Sequence, residues 1–259
     1  MSQEPPPRPR EAALVVGASR GIGLEVTRRW LLSGRRVFAA ARASTPALEA
    51  LAARYPAAAE EGGAFTFSPV DLRDAAAIEA LGARLAASTD ALHWVFNSAG
   101  VLHGEGFGPE RKLEDLDPAA LQQVFAVNAL APILLAQALL PLLRHRERSV
   151  FASLSARVGS IGDNRLGGWY AYRASKAAQN QLLKTLSLEL RRRAPRCVVL
   201  ALHPGTVDTA LSRPFQRNVP AHKLFSVERA AQQLIEIIER ATPATSGAFL
   251  AWDGSEIPW

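Results

Sequence analysis

A five-residue apolar run, Ala12-Ala13-Leu14-Val15-Val16, empties without a linker into Gly17-Ala18-Ser19-Arg20-Gly21-Ile22-Gly23, after which the chain turns helical. An apolar run with no polar alternation is a strand covered on both faces, which is the mark of a parallel sheet. Parallel strands need long crossovers, usually helices. The rest of the chain supplies them. A helix over residues 22–32 closes at Gly34, and a second strand spans 36–41. A helix over 46–54 with Pro46 in its first turn leads to a third strand at 64–67. Asp71 and a helix over 74–87 precede a fourth strand at 92–96, which ends at Asn97.

Asp117 and Pro118 open a long helix that runs past Asn128 towards Leu143. A fifth strand follows at 149–154, a second long helix at 169–192, and a sixth strand at 198–202 ended by Pro204-Gly205. Ser226 caps a helix to Arg240, and 248–252 forms a final strand. No repeat or long linker interrupts this alternation. It predicts a single α/β domain over residues 11–259, a doubly wound, mostly parallel sheet of about seven strands with helices on both faces. Residues 1–10 are Pro-rich and polar and read as a disordered tail.

Composition narrows the function. Hydrophobic residues make up 48% of 259, enough for one sizeable core. The net charge of +6 is dispersed, mostly as Arg, and its densest run, Arg191-Arg192-Arg193 with Arg196, falls at a helix end where cations suit the dipole. Nucleic acid is therefore not the expected partner. The single Cys197 excludes an internal disulfide, and five scattered His residues have no metal-ligand spacing. His203 before the Pro-Gly turn either lines a cleft or packs. The longest apolar stretch, Leu130 to Leu143, has 14 residues and contains Pro132 and Pro141, too few to span a bilayer. With no signal-like N-terminus, a cytoplasmic protein that engages no membrane is expected.

The glycine turn has the physics of a phosphate cradle: the backbone approaches a pyrophosphate and the following helix directs its N–H groups at the negative charge. The Lys-Ser/Thr ending of a nucleotide-hydrolysing P-loop is absent. The end of the second strand is where an adenosine ribose is read, and an acid there suits NAD. This chain has Arg42 instead, and Arg20 inside the glycine turn. Two guanidinium groups suit the 2′-phosphate of NADP(H).

Tyr172 and Lys176 stand at i and i+4, on one helix face. A neighbouring ammonium favours the phenolate, so Tyr172 is expected to have a lowered pKa and to exchange protons with a carbonyl or alcohol oxygen. Pro132 has no N–H to offer the carbonyl of Asn128, so the helix is expected to kink there and leave that carbonyl free to hold a water.

Together these features resemble the short-chain dehydrogenase/reductase family from Ala12 onward. The matching motifs are Gly17, Gly21 and Gly23; Asp71; Asn97-Ser98-Ala99-Gly100; Asn128; a serine near the end of the fifth strand; Tyr172 with Lys176; and Pro204-Gly205 with Val207 and Thr209. The segment from Leu154 to Asn164 and the tail Ala251-Trp252-Asp253-Gly254 resemble the subgroup holding the bacterial C-factor signalling protein and the insect carbonyl reductase sniffer.

The resemblance implies a Rossmann-type domain and a catalytic set of Asn128, Ser155, Tyr172 and Lys176. Tyr172 would be the general acid, Lys176 would hold the nicotinamide ribose, and Asn128 would join a water relay. Gly17, Ser19, Arg20, Gly21, Ile22, Gly23 and Arg42 would line the phosphates. Asp71 and Leu72 would lie near the adenine, Asn97, Ala99 and Gly100 along the cofactor, and Pro204, Gly205, Val207 and Thr209 towards the carboxamide.

Two departures stand out. The family serine usually lies 13 residues before the tyrosine, as the second of a Ser-Ser pair, where this chain has Gly159 and Ala156. About four residues are inserted around 163–168. Ser155 is the expected substitute, with Ser153 and Ser160 as alternatives. Ser98 also replaces a usual Asn. The implied function is NADPH-dependent reduction of a small-molecule carbonyl compound. The alternative is an NADP(H)-binding regulator with little turnover. Residues 206–225, with Leu211, Phe215 and Leu224, are expected to close an apolar substrate pocket against residues 102–107 and Trp169. A homodimer or homotetramer through the two long helices is implied.

Overall fold

The computed structural model describes residues 11–57 and 64–259, so the tail expected at 1–10 lies outside the described residues. The strands are β1 (Ala12–Val16), β2 (Arg36–Ala41), β3 (Phe65–Pro69), β4 (Trp94–Asn97), β5 (Ser149–Leu154), β6 (Cys197–His203), β7 (Thr206–Val207), β8 (Leu224–Phe225) and β9 (Ala248–Ala251). Seven of them form one parallel sheet in the order β3-β2-β1-β4-β5-β6-β9. The strand order reverses between β1 and β4, the place where open α/β sheets bind ligands beyond the strand ends. Val16 is in register with Asn97, and Asn97 with Ser153. The glycine turn, the Asn97 turn and the end of β5 therefore reach one edge side by side.

The helices are α1 (Gly21–Leu32), α2 (Pro46–Arg54), α3 (Ala75–Ala86), α4 (Pro118–Phe125), α5 (Ala131–Leu143), α6 (Tyr170–Arg193) and α7 (Val227–Arg240). Successive β1 residues serve opposite cores. Leu14 and Val16 pack with Leu81, Leu135 and Leu183, while Ala13 and Val15 pack with Trp30, Leu48 and Leu234. Thr45, Asp74, Asp117 and Ser226 cap α2, α3, α4 and α7 with their side chains.

Three features depart from expectation. The kink foreseen at Asn128 is realised as a π turn, Ala126–Leu130, in which Ala131 N donates to Ala126 O. Widening the turn by one residue lets the helical ladder resume around the N–H that Pro132 lacks. Helical structure is thus continuous over the 26 residues Pro118–Leu143, and by length and composition it is apolar enough to cross a membrane, its most apolar stretch having a mean hydropathy of 1.9. Half of that stretch is buried, and Leu135, Leu139 and Leu142 lie in the core. The second departure is β7 paired with β8, a two-stranded parallel ladder inside what reads as an open loop. Its backbone pairs hold the two ends of residues 206–225 together, and Arg213–Asn218 forms a 3₁₀ turn between them.

The third departure is the start of α6. Trp169 precedes it in the left-handed region (φ 53) and offers no side-chain cap. That conformation costs an L-residue about 1–2 kcal/mol. Glu110, a buried residue 61 positions before Ala171, supplies the missing acceptors: its backbone carbonyl takes Trp169 N at 2.6 Å and its Oε2 takes Ala171 N at 3.2 Å. A carboxylate also suits the positive end of the helix. Glu110→Ala is expected to lower stability in urea unfolding by about 1–2 kcal/mol. Thr45→Ala at the exposed start of α2 should cost less, and equal losses would deny the buried cap its weight.

Candidate active site

Three turns converge at the reversal of strand order. Gly17 has φ +81, and a Cβ there would lie 2.8 Å from Ala99 N and Ser98 Oγ. A Cβ on Gly23 would lie 2.3 Å from Gly17 O, so α1 can start tightly against the turn only as glycine. Gly21 sits close to Thr209, at 3.3 Å from a virtual Cβ to Cγ2. Backbone N–H groups of Gly17 and Ala18 donate to Ala40 O at 2.8 and 3.2 Å, which ties the turn to β2. Among the helices that open on this edge, α1 has no side-chain cap, whereas α2, α3, α4 and α7 do. Its N–H groups are therefore available to an anion.

The remaining residues expected at the cofactor surround this cradle. Arg20 and Arg42 are exposed, Ser19 is half-buried and Ile22 is buried. Asp71 chelates Arg73, with Oδ1 and Oδ2 at 3.0 and 3.1 Å from Nε. The Arg73 hydrogen bonds, with Arg42 adding its charge, bring its pKa down to about 2. Leu72 is buried beside it, Val207 is buried in β7, and Pro204 and Gly205 form the turn between β6 and β7. Gly205 has φ +79, and a Cβ there would strike Phe225 at 2.7 Å.

The Tyr172–Lys176 pair lies deeper. Gly100 links it to the cradle, since a Cβ at that position would be 3.5 Å from Asn128 Oδ1 and 3.7 Å from Lys176 Nζ. The Asn128 side chain is fully buried and clamps the Val101 backbone, with Oδ1 accepting from N and Nδ2 donating to O, each at 2.8 Å. Nδ2 also donates to Ser175 Oγ at 3.1 Å. Lys176 is 3% exposed and donates to Leu154 O and Gln179 Oε1, not to Tyr172, whose ring centroid is 6.0 Å away.

The expectation that Lys176 lowers the Tyr172 pKa is not met. Burial pushes the phenol up to about 12 and brings the amine down to about 7. Desolvation disfavours the charged form of each group, and at this separation their mutual attraction does not compensate. Among the described residues none hydrogen-bonds the Tyr172 hydroxyl.

The serines are engaged elsewhere. Ser155 Oγ donates to Asn180 Oδ1 at 2.6 Å. Ser153 Oγ accepts from Asn97 Nδ2 and Gln179 Nε2, and Ser160 Oγ donates to Trp259 O at 3.4 Å. Gly159, 13 residues before Tyr172, would place a Cβ 2.8 Å from Lys176 Cβ, so no side chain fits there. Ala156 is half-buried at the end of β5. His203 is packed and neutral: burial, helped by the Arg157 charge, brings its pKa down to about 4. Its Nδ1 and Asn180 Nδ2 are buried without a partner among the described residues.

A cavity of about 500 Å³ is lined by His103, Phe107, Arg111, Trp169 and Phe215 among others. Trp169 meets Tyr172 edge-on at 6.2 Å and Phe215 at 5.0 Å, and His103 meets Phe215 at 5.9 Å. The two loops expected to face each other do so, but Leu211 and Leu224 are not in the cavity wall; Leu224 is paired in β8. Glu110, Gln179 and Asn180 were not foreseen. Gln179 and Asn180 follow Lys176 on its own helix, and a polar residue falling on the buried face of α6 was the available signal.

This architecture is that of a dinucleotide-binding oxidoreductase fold. The chain belongs to the short-chain dehydrogenase family, whose family model matches residues 11–220. It is 34% identical over 247 residues to 1-hydroxy-2-glutathionyl-2-methyl-3-butene dehydrogenase of Rhodococcus sp. (strain AD45), covering 95% of this chain and 98% of the relative. It is 35% identical over 147 residues to C-signal of Myxococcus xanthus, covering 57% of this chain and 83% of that protein. Among solved structures, NADPH-bound carbonyl reductase from chicken fatty liver superimposes with a TM-score of 0.83 at 27% identity, covering 96% and 99% of the two chains. Carbonyl reductase Sniffer of D. melanogaster gives 0.82 at 26%, covering 96% and 100%. Of the likeness read from residues 154–164 and 251–254, that to sniffer extends across the fold and that to C-signal over 57% of the chain.

The Lys176 shift has a linked consequence. The unfolded chain carries this amine with its ordinary pKa of 10.5 and the fold lowers it to about 7, so between these values the unfolded state binds more protons. Stability conferred at this position is lost as pH falls from 10.5 towards 7. The unfolding free energy of the wild type minus that of Lys176→Met is expected to rise with pH across this window, at up to about 1.4 kcal/mol per pH unit. A flat difference would mean that the amine titrates normally.

Proposed function

We propose that the protein is an NADPH-dependent carbonyl reductase in which Tyr172 delivers a proton to the oxygen of an aldehyde, ketone or quinone. The observation that carries this reading is the Tyr172 hydroxyl, unpaired among the described residues, on the helix whose Lys176 lies against Gly100 of the glycine-lined cradle. The residues present suit NADP(H). Gly17 and Gly23 let the turn fold tightly against the Ser98-Ala99 backbone and the start of α1, that start has no side-chain cap among the described residues, and Arg20 and Arg42 are exposed for a 2′-phosphate. When bound, NADPH supplies the hydride that the carbonyl carbon receives.

The chain's own residues do the rest. The raised pKa of Tyr172 keeps it protonated at neutral pH, as a donor in reduction must be. Lys176 holds a cationic or hydrogen-bonding nitrogen behind it. Trp169, Phe215 and Phe107 offer an apolar wall and exclude water from a bound substrate. The Rhodococcus relative acts, by its name, on an alcohol; oxidation there and reduction here use one pathway in opposite directions. The reading includes a cytoplasmic homodimer or homotetramer formed through α4, α5 and α6, where Leu130 and Leu188 are half-exposed.

A second reading, an NADP(H)-binding regulator with little turnover, is favoured by the engagement of Ser153, Ser155 and Ser160 and by the likeness to C-signal. NADPH consumption with a panel of aldehydes, ketones and quinones separates the two. Tyr172→Phe should lower kcat about 10²–10⁴-fold while leaving NADPH binding intact. If the wild type binds NADPH yet turns over no panel member faster than that variant, the regulator reading replaces the enzyme. Arg42→Ala should raise KM for NADPH about tenfold with little change for NADH, and equal effects would remove the 2′-phosphate from Arg42.

A further inference from the structure

The side chain that Lys176 touches lies one turn further along α6. Lys176 Nζ donates to Leu154 O and to Gln179 Oε1, each at 2.8 Å. Gln179 Nε2 donates in turn to Ser153 Oγ at 2.9 Å and to Leu154 O at 3.1 Å. Asn97 Nδ2 reaches the same Ser153 Oγ at 2.9 Å. Asn97, Ser153 and Gln179 are all 0% exposed. A chain of neutral groups therefore runs from the amine on α6 across β5 to β4, sealed from solvent.

The orientation of the Gln179 amide is determined by its surroundings. Leu154 O is an acceptor only, so the NH₂ group must face it, and the amide oxygen then faces Lys176. Turned over, the amide would set oxygen against oxygen and N–H against N–H. The groups that face the amine are these acceptors from α6 and β5, Gly100 from the β4 turn, and Tyr172 on its own helix. Among the described residues no carboxylate and no second cation pairs with it. Burial is the sole cause of its lowered pKa.

We propose that Gln179 is a positioning residue for the reaction: its amide, oriented by Leu154 and Ser153, holds the Lys176 amine on the floor of the cleft and favours its protonated form. The protonated amine has one N–H more than the neutral one, free to act towards Tyr172 and the cradle. How that charge is used rests on the carbonyl reductase reading; the hydrogen-bond chain does not. A leucine at 179 would fill similar space and leave the amine a single acceptor.

The chain has four lysines, Lys112, Lys176, Lys184 and Lys223, so ¹³C-lysine labelling of the full-length protein gives a spectrum of four side-chain signals, assigned with Lys176→Met. Lys176 is expected to titrate near 7. Gln179→Leu should lower that midpoint by about one pH unit, Ser153→Ala should lower it less, and Gln179→Glu should raise it above the wild type. An unchanged Lys176 midpoint in Gln179→Leu and Ser153→Ala overturns the inference, whatever the activity. If Gln179→Leu does not fold, Ser153→Ala and Gln179→Glu decide it in the same way. The pH profile of NADPH-dependent reduction should move with the midpoint, down in Gln179→Leu and up past the wild type in Gln179→Glu. A moved midpoint in a protein that reduces no carbonyl upholds the role of Gln179 and removes the reductase reading instead.

Discussion

Burying a primary amine with no acid beside it is unfavourable unless neutral acceptors surround it, and the reactive edge of this protein is arranged around that requirement at Lys176. The amine takes the carbonyl that ends β5 and the amide of Gln179. The backbone must come close enough to let it do so. Gly159 lies against the Lys176 stem, where a Cβ would come within 2.8 Å of Lys176 Cβ, and Gly100 lies beside its nitrogen, where a Cβ would make an ordinary 3.7 Å contact. The start of α6 is held by Glu110 rather than by a local cap, so the helix carrying Tyr172 and Lys176 is placed by a residue from a distant loop.

The cofactor side answers to a different constraint. At the reversal of strand order the turns after β1, β4 and β6 crowd together, and glycine is the residue that allows it. Gly17 admits the turn after β4, Gly23 admits the start of α1, and Gly21 admits Thr209. Among the described residues no side chain caps the first N–H groups of α1, where a phosphate can take them. The cradle and the lysine floor meet at Gly100, which lies beside both Asn128 and Lys176.

On the substrate side the serines carry structure. Ser153 belongs to the buried chain that ends at Lys176, Ser155 ties β5 to Asn180 on α6, and Ser160 reaches the C-terminal Trp259. Ala156 follows β5 without a hydroxyl, and the Tyr172 ring meets edge-on the Trp169 that lines the cavity. Polar atoms close to this edge, His203 Nδ1 and Asn180 Nδ2, are buried without a protein partner among the described residues and mark where two elements meet imperfectly.

The order and type of nearly every main element could be read from the chain because local rules govern them: apolar runs that stop at glycine, Asp, Ser and Thr caps, proline in first turns. The α1 turn, the Tyr172–Lys176 spacing and Arg42 at the end of β2 are legible for the same reason, since each depends on residues a few positions apart. Tertiary structure decided what depends on contacts between distant segments. It set the protonation of the pair, because burial outweighs an ammonium 6.0 Å from the ring. It committed Ser155 to Asn180, made Glu110 the cap of a helix 61 residues on, and turned a proline kink into a π turn packed on the sheet. The sequence by itself determined which chemical groups the site holds. Desolvation and hydrogen-bond partnership, which exist only once β4, β5 and α6 are packed together, decided what charge and orientation those groups have.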